Sequence, residues 1–135
     1  MDKRKLARIH RVRTLQLGLA QADETRAREA EASETALSHR IAQLAAAVAP
    51  APALGGAVSL AAAAHYRERL HRSASAAEDR VRAAQARAQT AAAQTREAKR
   101  DQSAVEKLLD RAAIDAIRRE MRALEDAPAT RRRTA

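Results

Sequence analysis

A heptad repeat of small apolar residues between Leu70 and Ala116 is the feature that most restricts the fold of this chain. Its positions alternate steps of three and four, and only Thr95 and Gln102 among them are polar. An apolar seam at this spacing indicates a helix that packs along its length against another helix, as in a coiled coil. The predicted seam consists of Leu70, Ala74, Ala77, Val81, Ala84, Ala88, Ala91, Thr95, Ala98, Gln102, Val105, Leu109, Ala112 and Ala116.

The composition agrees with long helices and argues against a thick globular core. Aromatic residues make up 1% of the chain and charged residues 32%. Sheets favour β-branched and aromatic residues, whereas alanine with arginine, glutamate and glutamine favours helix. The chain has no cysteine, which excludes disulfides and thiolate metal sites. The sequence therefore predicts an all-α protein.

An uncharged stretch from 41 to 64 separates two helical regions. It is long enough to cross a bilayer, but Pro50, Pro52, Gly55 and Gly56 at its centre favour a turn over a membrane span. The prediction is a single coiled-coil hairpin with four parts. These are helix one over about 2–48, a Pro/Gly turn over 49–58, helix two over about 59–126, and a basic C-terminal tail over 127–135.

The two helices are expected to pair antiparallel, because a short connection brings the second back along the first. Helix two is the longer, so it should overhang the start of helix one from about Gln102 onward. Apolar residues continue through this predicted overhang and would lack an internal partner: Val105, Leu109, Ala113, Ile117, Met121 and Leu124, with Leu108 and Ile114 beside them. An uncovered apolar stripe indicates a docking surface for another protein.

Helix one has a less regular apolar pattern. Near the turn we expect a seam of Leu37, Ile41, Leu44 and Val48. Nearer the start, apolar residues step by threes, which predicts a register shift around Gly18. These residues are Leu6, Ile9, Val12, Leu15 and Leu19.

The chain carries a formal charge of +9 and a pI near 11.2, with lysine and arginine concentrated toward both termini. The four histidines lie too far apart to form a metal pair, and the carboxylates have no predicted pocket. We therefore expect no enzyme activity, no cofactor and no metal. The first residues lack the apolar segment of a secretory signal, which favours a cytoplasmic location.

Two segments resemble the FliJ family of flagellar export stalk proteins, with its type III secretion counterpart SctO/YscO. HYRERLHRS, around Tyr66 and Leu70, is similar to the start of the family's second helix, an aromatic residue with leucine four positions later. SAVEKLLDRAAIDAIRREMRALEDA, residues 103–127, is similar to its C-terminal signature. The family signature has Leu-Asp-Glu near its end, whereas here Leu124 is followed by Glu125 and Asp126.

The resemblance implies a stalk that inserts its terminal end into the hexameric export ATPase FliI and promotes assembly and activity of that ring. It also implies a contact with the cytoplasmic domain of the export gate FlhA, peripheral to the inner membrane, and binding to export chaperones. The implied ATPase-ring contacts are Val105, Leu108, Leu109, Ile117, Arg118, Met121, Leu124, Lys3, Arg4 and Arg8. The implied gate contacts are Leu37, Ile41, Leu44, Tyr66 and Leu70, which could instead hold the helical seam together.

A different class of function stays open on the charge alone. A basic coiled coil of this pI can bind nucleic acid or an anionic membrane surface without sequence specificity. No helix-turn-helix, zinc motif or aromatic platform supports specific recognition of nucleic acid. Weak self-association is a further expectation, because the small seam residues each bury little area.

Overall fold

The computed structural model describes residues 2–47 and 57–129, with the side chains of 57–59 excepted. It contains two helices, α1 (Lys3–Ala47) and α2 (Ala57–Asp126), of 45 and 70 residues. The described chain has no strand. The prediction of an all-α, two-helix antiparallel hairpin with a longer second helix is confirmed. Val48, most of the predicted Pro/Gly turn and most of the predicted tail lie outside the described residues.

The boundaries of the helices have local causes. Asp2 caps α1: its Oδ1 accepts a hydrogen bond from the backbone N–H of Arg4 at 3.2 Å. α2 begins at Ala57, two residues before the predicted start at 59, and ends at Asp126, shortly before Pro128. Proline cannot continue the hydrogen-bonded ladder, which fits the end of the helix at this point.

The chain divides into two units, one formed by Met1–Gly18 with Glu97–Ala135 and the other by Leu19–Arg96. In the first unit, here called the terminal unit, His10 meets Glu106 at 3.3 Å and Thr14 meets Gln102 at 3.1 Å. A step forward along α1 is thus a step back along α2, so the helices run antiparallel there. In the second unit, here called the middle unit, Ala20 meets Thr95 and Glu34 meets Arg80, in the same antiparallel sense.

The predicted seam of α2 is confirmed at every position, since each of its residues from Leu70 to Ala116 is buried or half-buried. The most enclosed are alanines in the middle unit. Ala77 is 0% exposed and Ala84 2%. Because alanine has only a methyl group, it leaves room for a partner helix to lie close along this face.

The predicted seam of α1 is largely wrong. Leu6 is 2% exposed, and Ile9 and Ile41 are half-buried, as expected. The other predicted seam residues on the described chain are at least 42% exposed: Val12, Leu15, Leu19, Leu37 and Leu44. The residues that α1 turns inward instead step by threes and fours without a shift at Gly18, and many are polar. They are Leu6, His10, Arg13, Leu17, Ala20, Glu24, Ala27, Glu31, Glu34, Ser38, Ile41 and Ala45.

The polar inward face of α1 is tolerated because it lies against small residues. In the middle unit, half-buried Glu34 reaches across to Arg80, with 3.3 Å between Oε2 and Nε. A long side chain can cover an alanine with its methylene groups and still keep its charged end in water. Apolar periodicity alone therefore predicted the wrong face for most of α1.

Candidate functional site

The candidate site is the last part of α2 in the terminal unit, residues 113–126, here called the terminal segment. The predicted overhang was expected from about Gln102, but this boundary is wrong. Gln102 and Val105 are 8% and 7% exposed, and Leu6 of α1 lines a groove together with Leu108 and Ala112. α1 therefore pairs with α2 about ten residues further than expected. From Ile117 onward every described residue is exposed.

The difference comes from the register of the paired helices. The prediction assumed that helix one ends directly opposite the start of helix two. The structure instead places Ala45 in a groove with Leu70 and Ala74, some way inside α2. It likewise places Thr14 against Gln102, where the prediction had the first residues of α1.

Four large apolar side chains form a stripe along the terminal segment. Ile114, Ile117, Met121 and Leu124 are 50%, 57%, 56% and 76% exposed. Their spacing of three, four and three residues places them on one face of the helix. This set is here called the outer stripe.

The outer stripe is not a continuation of the buried seam. The last seam residues are Ala112 and Ala116, and at 3.6 residues per turn the stripe lies about a third of a turn away from them. No described residue of α1 buries the stripe. It thus has the composition of a helix–helix contact and the exposure of a free surface.

The other predicted ATPase-ring contacts fall into three groups. Val105 is buried in the seam and therefore leaves the candidate set, while Leu109 is half-buried in the same seam. Leu108 is 43% exposed beside Leu6. The exposed cations are Arg118, Lys3, Arg4 and Arg8.

The charge within the terminal unit is unevenly distributed. Residues 2–18 of α1 hold six lysines and arginines against the single carboxylate of Asp2. The terminal segment holds three arginines and four carboxylates, so it is close to neutral. The basic surface is therefore the start of α1 and not the outer stripe, although the sequence pattern suggested a basic overhang.

A layer of polar contacts fixes the pairing in the terminal unit. Gln102 Nε2 donates to Thr14 Oγ1 at 3.1 Å, and Lys99 Nζ donates to Gln102 Oε1 at 3.1 Å. Next to this layer, Arg13 and Asp101 form an ion pair at 3.2 Å. Buried polar partners of this kind specify the register of a coiled coil, because any slip would leave the Gln102 amide N–H without its Thr14 acceptor.

The predicted gate contacts lie in the middle unit and divide between the seam and the exposed surface. Ile41 and Leu70 are half-buried seam residues. Leu37, Leu44 and Tyr66 are 42%, 53% and 49% exposed. The register places Leu70 opposite Ala45.

The sequence pattern missed one exposed apolar pair in the terminal unit. Val12 and Leu15 are 52% and 69% exposed on the face of α1 that points away from α2. Their neighbours Arg13 and Leu17 are the residues that turn inward. Steps of three from Leu6 led to the prediction that both residues belong to the seam, but at 3.6 residues per turn such steps rotate off the buried face.

The described residues show no metal-ligand cluster and only open grooves. They contain no group of three or more histidine, aspartate or glutamate side chains able to hold a metal ion. The open grooves along the paired helices are shallow, and the one with Ser38 and His39 faces Glu78 and Arg82. As far as the two helices are described, neither has a segment long and apolar enough to span a bilayer.

Comparison with protein-family models, with curated proteins and with solved structures finds no match to this chain.

Proposed function

We propose that this chain is a FliJ-like central stalk of a flagellar or type III protein export ATPase complex. In this proposal the terminal end enters the hexameric ATPase ring, promotes ring assembly and ATP hydrolysis, and couples the ring to the export gate. The protein has no catalytic role of its own and acts at the cytoplasmic side of the inner membrane. The observation that carries the proposal is the outer stripe, exposed on a helix that extends past its intramolecular partner.

The proposed ring contact uses the apolar side chains of the outer stripe as its centre. Ile117, Met121 and Leu124 project from a single helix narrow enough to enter a pore. Arg118 lies next to them, and Leu108 adds an apolar side chain where α1 begins. Lys3, Arg4 and Arg8 would then meet the entrance of the ring through charge.

The proposed gate contact uses the exposed members of the predicted set. Tyr66, Leu37 and Leu44 are accessible to a partner in the middle unit, whereas Ile41 and Leu70 support the helix pairing. In this proposal an export chaperone binds the same exposed side chains. Tyrosine suits such a role because it presents a large apolar ring with a polar tip.

The first test measures the ATP hydrolysis rate and the oligomeric state of the cognate export ATPase with and without this chain. Salt at about 0.3 M shortens the range of nonspecific charge attraction to less than 10 Å. Faster hydrolysis together with hexamer formation is expected. An ATPase unaffected in both respects, at saturating stalk concentration, contradicts the proposal.

A matched pair of variants locates the contact. Ile117 and Leu60 are both 57% exposed, but Leu60 lies in the middle unit. Ile117→Asp should abolish stimulation because it places a charge in the apolar contact, while Leu60→Asp should leave stimulation unchanged. Equal stimulation by both variants would remove the outer stripe from the ring contact.

A second candidate function rests on the basic start of α1. Lys3, Arg4, Lys5, Arg8 and Arg11 are exposed, and none is in a salt bridge with a described residue. Such a cluster attracts nucleic acid or anionic lipid, with affinity that falls steeply as salt rises. Binding of this kind should be lost on changing Lys3, Lys5 and Arg8 together to Gln, and unchanged by Ile117→Asp. Binding that survives the triple change to Gln and is lost with Ile117→Asp would favour the stalk.

A further inference from the structure

We propose that the terminal segment also binds a second copy of itself, forming an antiparallel dimer through the outer stripe. This dimer needs no ATPase, so it goes beyond the proposed function and can fail or hold independently of it. The inference rests on the spacing of the stripe, its limits along the helix and the local charge.

The outer stripe has the same spacing when read in either direction. From Ile114 the steps are three, four and three, and from Leu124 they are again three, four and three. Two antiparallel copies related by a two-fold axis therefore align fully. Ile114 packs against the second copy's Leu124, and Ile117 packs against the second copy's Met121.

Three of the four stripe residues, Ile117, Met121 and Leu124, lie beyond Ala116, the last residue of the seam. On the same helical face, the positions one and two turns before Ile114 hold Asp110 and Lys107. The next position after Leu124 on this face is Pro128, beyond the end of the helix. The apolar face thus begins in the last turn of α2 that pairs with α1 and stops with the helix, which gives the dimer a fixed length and register.

Charge permits this approach although the whole chain is strongly basic. The terminal segment has three arginines and four carboxylates, so two copies do not repel each other there as the start of α1 would. The antiparallel register also brings Arg111 beside the second copy's Glu125 on each side of the axis. It also sets Arg118 and Glu120 each beside the same residue of the second copy, and these two like-charge contacts weaken the dimer without changing its register.

The size of the contact predicts a weak dimer. Eight side chains, four from the terminal segment of each copy, bury roughly a few hundred Å² per copy. This is below the roughly 800 Å² per partner of a stable complex. We therefore expect dissociation at roughly 10 to 100 μM, a free energy of association between about −5 and −7 kcal/mol. At low concentration the stripe would be free for other partners.

The concentration dependence is tested by sedimentation equilibrium of the full chain at about 0.3 M salt, over a range of about 1 to 500 μM. The unaltered chain should pass from monomer to dimer. Ile117→Asp should weaken association at least tenfold, while Leu60→Asp, at the same 57% exposure, should associate normally. A chain that stays monomeric at every concentration overturns the proposal, as does equal association by both variants.

The orientation is tested by cross-linking, which the absence of native cysteine makes specific. Two chains are prepared, one with Ile114→Cys and one with Leu124→Cys, and each is oxidised alone and as a mixture. The antiparallel dimer predicts a disulfide-linked dimer in the mixture, because only there do the two thiols face each other. Efficient cross-linking of either chain alone would indicate a parallel arrangement, and no cross-link in the mixture would likewise overturn the proposal.

Discussion

Val105 and Ile117 are apolar residues of the same helix, in the same unit, with opposite surroundings. Val105 is 7% exposed in the seam, whereas Ile117 is 57% exposed on the outer stripe. The two residues differ in the face they occupy and in whether α1 reaches that level of α2. One face holds the hairpin together, and the other is left for a partner. The contrast shows that apolar character alone does not identify a seam residue. The angular position of the residue around the helix decides whether it is buried against α1 or exposed.

The largest effect is expected from placing a charge on each of these faces. Val105→Asp should lower the free energy of unfolding by about 3 kcal/mol or more, since it buries a carboxylate among apolar side chains. Ile117→Asp should leave the stability of the monomer within about 0.5 kcal/mol.

The free energy of unfolding of both variants is measured by urea titration, with the circular dichroism signal of the helices as the readout. The protein concentration is kept below that at which the dimer forms. Ala104→Asp, an exposed change one residue before Val105, serves as a control for the helix propensity of aspartate. If Ile117→Asp proved as damaging as Val105→Asp, the outer stripe would have to be covered within the monomer.

A smaller effect is expected from enlarging the alanine seam of the middle unit. Ala77 is 0% exposed and Ala76, its neighbour, is exposed. Ala77→Leu should cost about 1 to 3 kcal/mol because the added carbon atoms push the helices apart. Ala76→Leu should change stability by less than about 0.5 kcal/mol. Equal unfolding midpoints for the two variants would show that the pairing there is loose.

The seam of α2 could be predicted because alanine, valine and leucine repeat there at heptad spacing with only two polar interruptions. The seam of α1 could not be predicted from apolarity, because its inward positions include Arg13, Glu24 and Glu31. Arg13 is accepted because Asp101 of α2 pairs with it. The alanine-rich seam of α2 leaves room for Glu24 and Glu31. That information lies on the other helix. Sequence reading of one helix at a time therefore assigned Leu15 and Leu19 to the core, although both are exposed.

Part of the candidate site was predicted correctly, and the error again came from reading one helix without its partner. Ile117, Met121 and Leu124 were identified as apolar residues without a partner, and they are exposed. Val105 was grouped with them because the predicted position of the turn made the helix pairing end at about Gln102. In the structure Thr14 lies opposite Gln102, so α1 continues to pair with α2 beyond that residue. Register depends on contacts between distant segments, such as Gln102 with Thr14, so a single-helix pattern does not determine it.

A modest gain in stability is expected at Gly18, the residue where a register shift was predicted and not found. Gly18 lies inside α1 without a positive φ, and a Cβ added there would meet nothing within 4 Å. Gly18→Ala should therefore raise the free energy of unfolding by roughly 0.8 to 1.0 kcal/mol, from backbone entropy and helix propensity alone. The same urea titration measures it. A loss of stability would mean that α1 needs to bend at this residue.

The smallest effect is expected from the ion pair beside the polar layer of the terminal unit. Arg13 Nη1 and Asp101 Oδ2 are 3.2 Å apart, with side chains 40% and 45% exposed. At that exposure water and salt screen the charges, so a double-mutant cycle with Arg13→Ala and Asp101→Ala should give a coupling of about 0.5 kcal/mol. The coupling should fall further at about 0.5 M salt, where screening is stronger. A coupling above about 2 kcal/mol that salt leaves unchanged would assign the pair a structural role comparable to that of the buried seam. Register in the terminal unit would then depend on charge as much as on Gln102, and the contrast between an apolar seam and a solvent-facing stripe would no longer account for how the two helices align.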